Sequence, residues 1–191
     1  MDQMKEYEEE FDSMLFHLPL AGSTFKKVYY DVPLGRVVSK FVPADELVVP
    51  YTATSLDDAE AIIHVVKISE NELRKQQVSG FYRDVELAPP GNVEQNSVEK
   101  KERELDGTKK TGKQEPIYTL LECHVNLDLE GFEDVGQDGE PTGIKLPYIV
   151  TVEEGSRTVL SIRRNYAPND LKKNKIQYFV HFKFLPGLGF Y

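Results

Sequence analysis

The chain has 191 residues, a formal net charge of -9 and a pI near 5.0, with 40% hydrophobic and 10% aromatic residues. That is enough apolar material for a real core, and the acidic balance argues against a general nucleic-acid binder. A single cysteine, Cys123, excludes an internal disulfide framework and any multi-cysteine zinc site.

The opening MDQMKEYEEEF lacks the basic start and apolar core of a signal peptide, and no apolar run approaches the roughly 20 residues that cross a bilayer. Read this way, the chain is soluble and cytoplasmic, with no membrane partner. Met4, Tyr7, Phe11, Met14, Leu15 and Leu18 recur at steps of three and four, which predicts an amphipathic helix over residues 3–18, ended by Pro19. Its apolar stripe needs one surface to cover it, either the core or a neighbouring subunit. FKKVYYDVPLGRVVSKFV, from Phe25, is rich in aromatic and β-branched residues around Pro33-Leu34-Gly35 and predicts a hairpin.

Residues 43–62 raise a chemical question, because Asp45, Glu46, Asp57, Asp58 and Glu60 stand close together. A metal or acid–base site would normally add a histidine or another convergent ligand, and the nearest histidine, His64, sits in the strand-like IIHVVKI. Ser55 followed by Asp58, and Ser69 followed by Glu72, match the capping-box spacing of a helix start. The expectation is therefore structural. Asp57, Asp58 and Glu60 open a helix, and Asp45 and Glu46 form a turn or a short helical step after Pro43.

ISENELRKQQVSG predicts a second short helix from about Glu70 to Gln77, closed by Gly80, and FYRDVEL reads as a further short strand. Residues 88–115 break the pattern with paired prolines, glycines and charges of both signs, as expected of a flexible charged loop. The remainder is β-rich. In IYTLLECHVNLDL, Ile117, Thr119, Leu121, Cys123, Val125 and Leu127 share one face, read as the core side. Glu122, His124 and Asn126 share the other, read as facing water or a partner. LPYIVTV and RTVLSIRR form a hairpin across Glu153-Glu154-Gly155-Ser156, and IQYFVHFKF completes a four-stranded antiparallel meander. The fold class is α+β: an N-terminal amphipathic helix, short helices, antiparallel hairpins and a C-terminal antiparallel meander. It divides into a helix-plus-hairpin segment 1–87, the loop 88–115 and a β segment 116–191.

Chemistry-bearing motifs are few. The four histidines His17, His64, His124 and His181 lie in different elements, without HExxH spacing. His124 and His181 facing each other beside Glu122 would make only a two-histidine site. Cys123 reads as a buried small hydrophobe, no serine has a GxSxG setting, and Gly187-Leu188-Gly189 lacks the lysine and helix of a phosphate loop. Thus no catalytic residue, metal ligand or cofactor is assigned. Arg163, Arg164, Lys172, Lys173 and Lys175 cluster around one turn of an otherwise acidic chain, read as a solvated face or a contact for an acidic protein surface or a phosphate backbone. The uncharged FLPGLGFY at the end reads as a segment that continues into more structure, so the chain is expected to be a fragment.

Longer stretches carry a family resemblance. SKFVPADELVVPYTATSLDDA, then HVVKISENELRKQQVSGFYRDVEL, then SIRRNYAPND and KIQYFVHFKFLPGLGFY, resemble the portal proteins of short-tailed bacteriophages and their prophages. The resemblance implies a fragment of the wing region of a head-to-tail connector, without enzymatic activity. It implies a dodecameric homo-oligomeric ring in the virion, assembled in the host cytoplasm, that meets capsid, terminase and tail or head-completion proteins. Double-stranded DNA passes through the assembled ring, while direct contact by this piece is not implied. Within that picture, the apolar positions Tyr7, Phe11 and Met14 and the basic cluster at 163–175 are the interaction candidates. Two other readings compete. One is a carboxylate-based, metal-dependent hydrolase or nuclease using residues from Asp45 to Glu60 or from Asp128 to Asp138. The other is a stand-alone β-rich ligand-binding module.

Overall fold

The computed structural model describes residues 6–31, 34–88, 117–136 and 138–185. Most of the predicted loop 88–115, the glycine pair at 187 and 189, and the apolar end lie outside the described residues. The elements run in the order α1 (Tyr7–Ala21), β1 (Ser23–Asp31), β2 (Arg36–Val42), a 3-10 turn (Ala44–Glu46), β3 (Leu47–Val48), β4 (Ala61–Ser69), α2 (Glu70–Val78), β5 (Ile117–Leu127), β6 (Leu146–Glu153), β7 (Val159–Arg164) and β8 (Phe179–Lys183). The α+β class follows directly.

Helix α1 runs past Pro19 and stops at Gly22, whose positive φ of 73° lets its N–H reach the Leu18 carbonyl. Proline removes one N–H late in the helix but leaves the following residues free to stay helical, so glycine and not proline sets the end. The predicted hairpin forms as β1–β2, with Gly35 at φ 63° in its turn and the Leu34 N–H donating to Asp31. Asp45 and Glu46 fall in the 3-10 turn, as expected.

The capping pair Ser55–Asp58 forms reciprocally: Asp58 accepts from the Ser55 N–H at 2.7 Å, and Ser55 Oγ accepts from the Asp58 N–H at 3.3 Å. No helix follows it. A single turn closes and the apolar, β-branched AIIHVVKIS takes the chain into β4, so Asp57, Asp58 and Glu60 cap a turn before a strand. At the second capping pair the helix does form, with the Glu72 N–H on Ser69 Oγ. Residues 81–87 are irregular and not a strand. Arg83 N donates to the Leu160 carbonyl, and Gln77 Nε2 fastens the segment through the Val85 carbonyl.

Two antiparallel sheets result, one ordered β2-β1-β8 and the other β3-β4-β5-β6-β7. Only β5, β6 and β7 make the expected meander. The fourth strand, β8, leaves it and pairs with β1, placing Phe25 opposite His181 and Lys27 opposite Phe179. The molecule is layered. Helix α1 covers one face of the first sheet, where Met14 is buried and Tyr7 and Phe11 lie over the Lys26 ammonium at 4.4 and 5.2 Å. The other face of that sheet packs on the second sheet through Phe25, Val42, Phe179, Leu47, Leu56, Ala59 and Ile62. Beyond the first sheet, α2 and the segment 81–87 continue the cover through Leu73 and Tyr82 on Ile68, Tyr118, Leu120 and Leu160.

This arrangement reverses the expected polarity of β5. Tyr118, Leu120 and His124 are buried, His124 to 2% exposure, whereas Leu121, Cys123 and Val125 are only half-buried. The polar face is the inner one because its charges find partners on the first sheet.

Candidate functional site

Lys27 on β1 points from the first sheet towards Glu122 on β5, and its Nζ donates to both carboxylate oxygens at 2.7 and 2.8 Å. His124, two residues along the same face, shares Glu122 with Nε2 2.8 Å from Oε1. His64, directly opposite Glu122 on β4, sits 3.5 Å from Lys27 Nζ. Phe179 of β8 lies edge-on to both imidazoles, at 5.6 Å from His64 and 5.2 Å from His124. Four polar side chains from three strands and two sheets therefore meet in one nearly dry layer.

The electrostatics follow from burial and proximity. Burial pushes the Glu122 carboxyl up, but the His124 hydrogen bond and the Lys27 ammonium hold it well below the usual carboxylate range. Burial, with Lys27 adding to it, pushes His64 down to about 4, so the imidazole is neutral beside the ammonium. Each charge in the cluster has its counter-charge within the cluster. The arrangement is an ion pair that joins two sheets, its side chains only 14% and 15% exposed.

His181 faces Ser23 and Phe25 of β1. It pairs with Ser23 through a short hydrogen bond and stacks on Phe25 at 4.6 Å, and burial first, then Lys183, pushes it down to about 4. Ser23 itself is buried, so this Ser–His pair offers no nucleophile to solvent. Burial raises the Cys123 thiol, with Glu122 adding to it, which opposes thiolate formation.

The carboxylates of the hydrolase reading are occupied or apart. Asp58 accepts four hydrogen bonds, from the N–H and hydroxyl of both Thr54 and Ser55. Asp134 takes the Lys173 ammonium and the Thr142 hydroxyl. Burial, then the neighbouring Asp45, pushes Glu46 up. Among the described residues, no three His, Cys, Asp or Glu side chains converge as metal ligands.

The predicted basic cluster is divided among separate tasks. Lys173 pairs with Asp134, and Lys175 donates to the carbonyls of Leu56 and Ala59, its ammonium depressed by burial against the pull of Asp57 and Asp58. Arg163 lies 4.3 Å over the Phe81 ring, while Arg164 and Lys172 are exposed. Of the helix candidates, Met14 is buried against the first sheet and Tyr7 and Phe11 are spent on Lys26, so none of the three faces outward. Sequence reasoning missed the Lys27–Glu122 joint. Its only sequence trace was a run of polar residues alternating through a strongly β-forming strand.

Among the described residues no helix is long and apolar enough to cross a membrane. No family model matches the chain, and no curated protein matches it.

Proposed function

We propose that this chain is a structural piece of a phage portal subunit, a wing element of the ring through which DNA is packaged and ejected, and that it acts mechanically without catalysis. What supports this reading is the resemblance of residues 39–59, 64–87, 161–170 and 175–191 to such proteins. Those stretches are not scattered over the surface. Leu47, Leu56 and Ala59 from the first pack with Phe179 from the last, and Leu73 and Tyr82 from the second pack together around Ile68.

On this reading, capsid, terminase and tail or head-completion proteins meet the assembled ring, which has twelve copies in particles. The closed inter-sheet joint suits a part that must transmit load without shearing. The test is to purify the product of the open reading frame containing these residues and image it by negative-stain electron microscopy. Rings with a central hole are the expected result. Compact particles without rings, well above micromolar concentration, would overturn the reading.

A further inference from the structure

The face of the first sheet beneath α1 is polar where a covered face is ordinarily apolar. Thr24, Lys26 and Ser39 stand on that face, in register with Phe182, Phe41 and Val28, and all three are at most 4% exposed. Among the described residues neither the Thr24 hydroxyl nor the Lys26 ammonium has a hydrogen-bond partner. Lys26 lies under the Tyr7 and Phe11 rings instead, and burial pushes it down while Glu10 pulls the other way. Glu10 spends its hydrogen bond on the Phe41 N–H. Two ring faces do not replace the hydrogen bonds that an ammonium makes to water, so closing the helix on the sheet leaves donors unpaired.

Little apolar burial offsets that cost. Met14 is the only buried residue of the fifteen in α1, and neither hydrophobic cluster takes a residue from the helix. The remaining ties run to β2. Glu6 meets Arg36 at 2.8 Å with both side chains partly exposed, Glu10 accepts from Phe41, and the His17 ring lies 5.1 Å from that of Phe41. At the other end Gly22 alone connects α1 to β1. Its φ of 73° turns the chain, and its carbonyl accepts the Phe184 N–H at 3.0 Å, which fixes the turning point to the sheet.

We propose that α1 is a latch: it swings off the first sheet about Gly22 while the two sheets stay folded, and the unpaired Lys26 ammonium keeps it weak. Opening wets Thr24, Lys26 and Ser39 and frees the Phe41 N–H on β2, an edge strand of its sheet. A polar face under a thinly attached helix is one suited to water as well as to cover. Every contact involved lies within one chain, so the latch stands whether or not the ring forms.

The test combines native-state hydrogen exchange with reductive methylation of lysines, both read by mass spectrometry across low urea concentrations. Amides of α1 from Phe11 to Leu18 should exchange at least about 100-fold faster than those of β5, with little dependence on urea. Lys26 should react far faster than Lys27, its neighbour on the opposite face, each rate taken relative to the same lysine in the urea-unfolded chain. Equal protection of α1 and β5 and of the two lysines, with the same urea dependence, would overturn the latch. So would fast exchange in α1 with Lys26 as protected as Lys27, since that describes a helix fraying in place. Lys26→Met removes the charge and keeps much of the length, and it should slow exchange in α1 about tenfold. Unchanged or faster exchange in that variant would overturn the role given to Lys26, because the ammonium would then be holding the helix down.

Discussion

Lys27 and Glu122 meet at 2.7 Å although they stand 95 positions apart in the chain, and their pairing joins the two sheets. Their side chains are only 14% and 15% exposed, so neither charge can be rehydrated in place if the other is removed. Breaking a buried pair from one side costs about 3–5 kcal/mol, whereas replacing both partners by apolar side chains is often neutral. Lys27→Met alone and Glu122→Leu alone should each lower the unfolding free energy, read by urea titration, by that order, and the double variant should recover most of the loss. Additive losses in the double variant would show that the two residues act separately.

The histidines in this layer set the pH response. His64 is held at about 4 in the fold, against an ordinary value of 6.5, and the groups facing it are Lys27 and Lys40 of the first sheet and Glu122 and His124 of β5. Between those values the unfolded chain binds the proton and the folded chain does not. Stability is therefore complete above pH 6.5 and declines as pH falls towards 4, by about 3 kcal/mol for His64. Glu122, depressed in the fold, adds a further loss below its ordinary value of 4.5. Urea midpoints should hold from pH 8 to about 6.5 and then fall to pH 4, and His64→Phe should flatten the upper part of that slope. A midpoint that does not move between pH 6.5 and 4.5 would contradict this account of His64.

Ser69 starts α2 by accepting the Glu72 N–H at 3.3 Å. Removing a capping hydroxyl costs about 1 kcal/mol. Ser69→Ala should lower stability by about that much, while Ser69→Asp should hold it near the original value. Thermal or urea unfolding of the two variants side by side distinguishes a cap from a hydroxyl of no consequence.

A metal-dependent hydrolase would need its carboxylates free to bind a cation. Asp58 already accepts from Thr54 and Ser55, and Asp134 from Lys173 and Thr142. Calorimetric titration with magnesium and with calcium should therefore give no saturable heat up to millimolar metal. Saturable binding that vanishes in Asp58→Asn or Asp134→Asn would reinstate the hydrolase reading.

Local features were legible in the amino-acid pattern and distant ones were not. The hairpins β1–β2 and β6–β7 and the cap of α2 depend on residues a few positions apart, so turn chemistry and alternation suffice to find them. The pairing of β8 with β1 joins Phe179 to Lys27, and nothing near either residue specifies that partner. Pro19 was a misleading stop, because the helix end is set by the conformation Gly22 can adopt. The basic cluster was legible as composition but not as a unit, since Lys173 and Lys175 are drawn to Asp134 and to the carbonyls of residues 56 and 59 from elsewhere in the chain.

The sharpest failure of pattern reading, the polarity of β5, also gives the most direct test of the fold. Alternation assigns Leu121, Cys123 and Val125 to the core because they are apolar, and Glu122 and His124 to water because they are not. That rule prices each residue alone. Once Lys27 and Phe179 arrive from the first sheet, Glu122 and His124 are cheaper to bury than their composition suggests, and the aliphatic side is left outside. Two adjacent leucines separate the alternatives. Leu120 is 1% exposed and packs among Ile68, Tyr118 and Leu160, so Leu120→Ala should cost about 2–5 kcal/mol through lost burial and the cavity left behind. Leu121 is half-buried on the opposite face of β5, so Leu121→Ala should cost about 1 kcal/mol or less. Urea unfolding at low concentration measures both. If the Leu121 variant proved the weaker of the two, β5 would be inverted, and the inter-sheet ion pair would be lost with it.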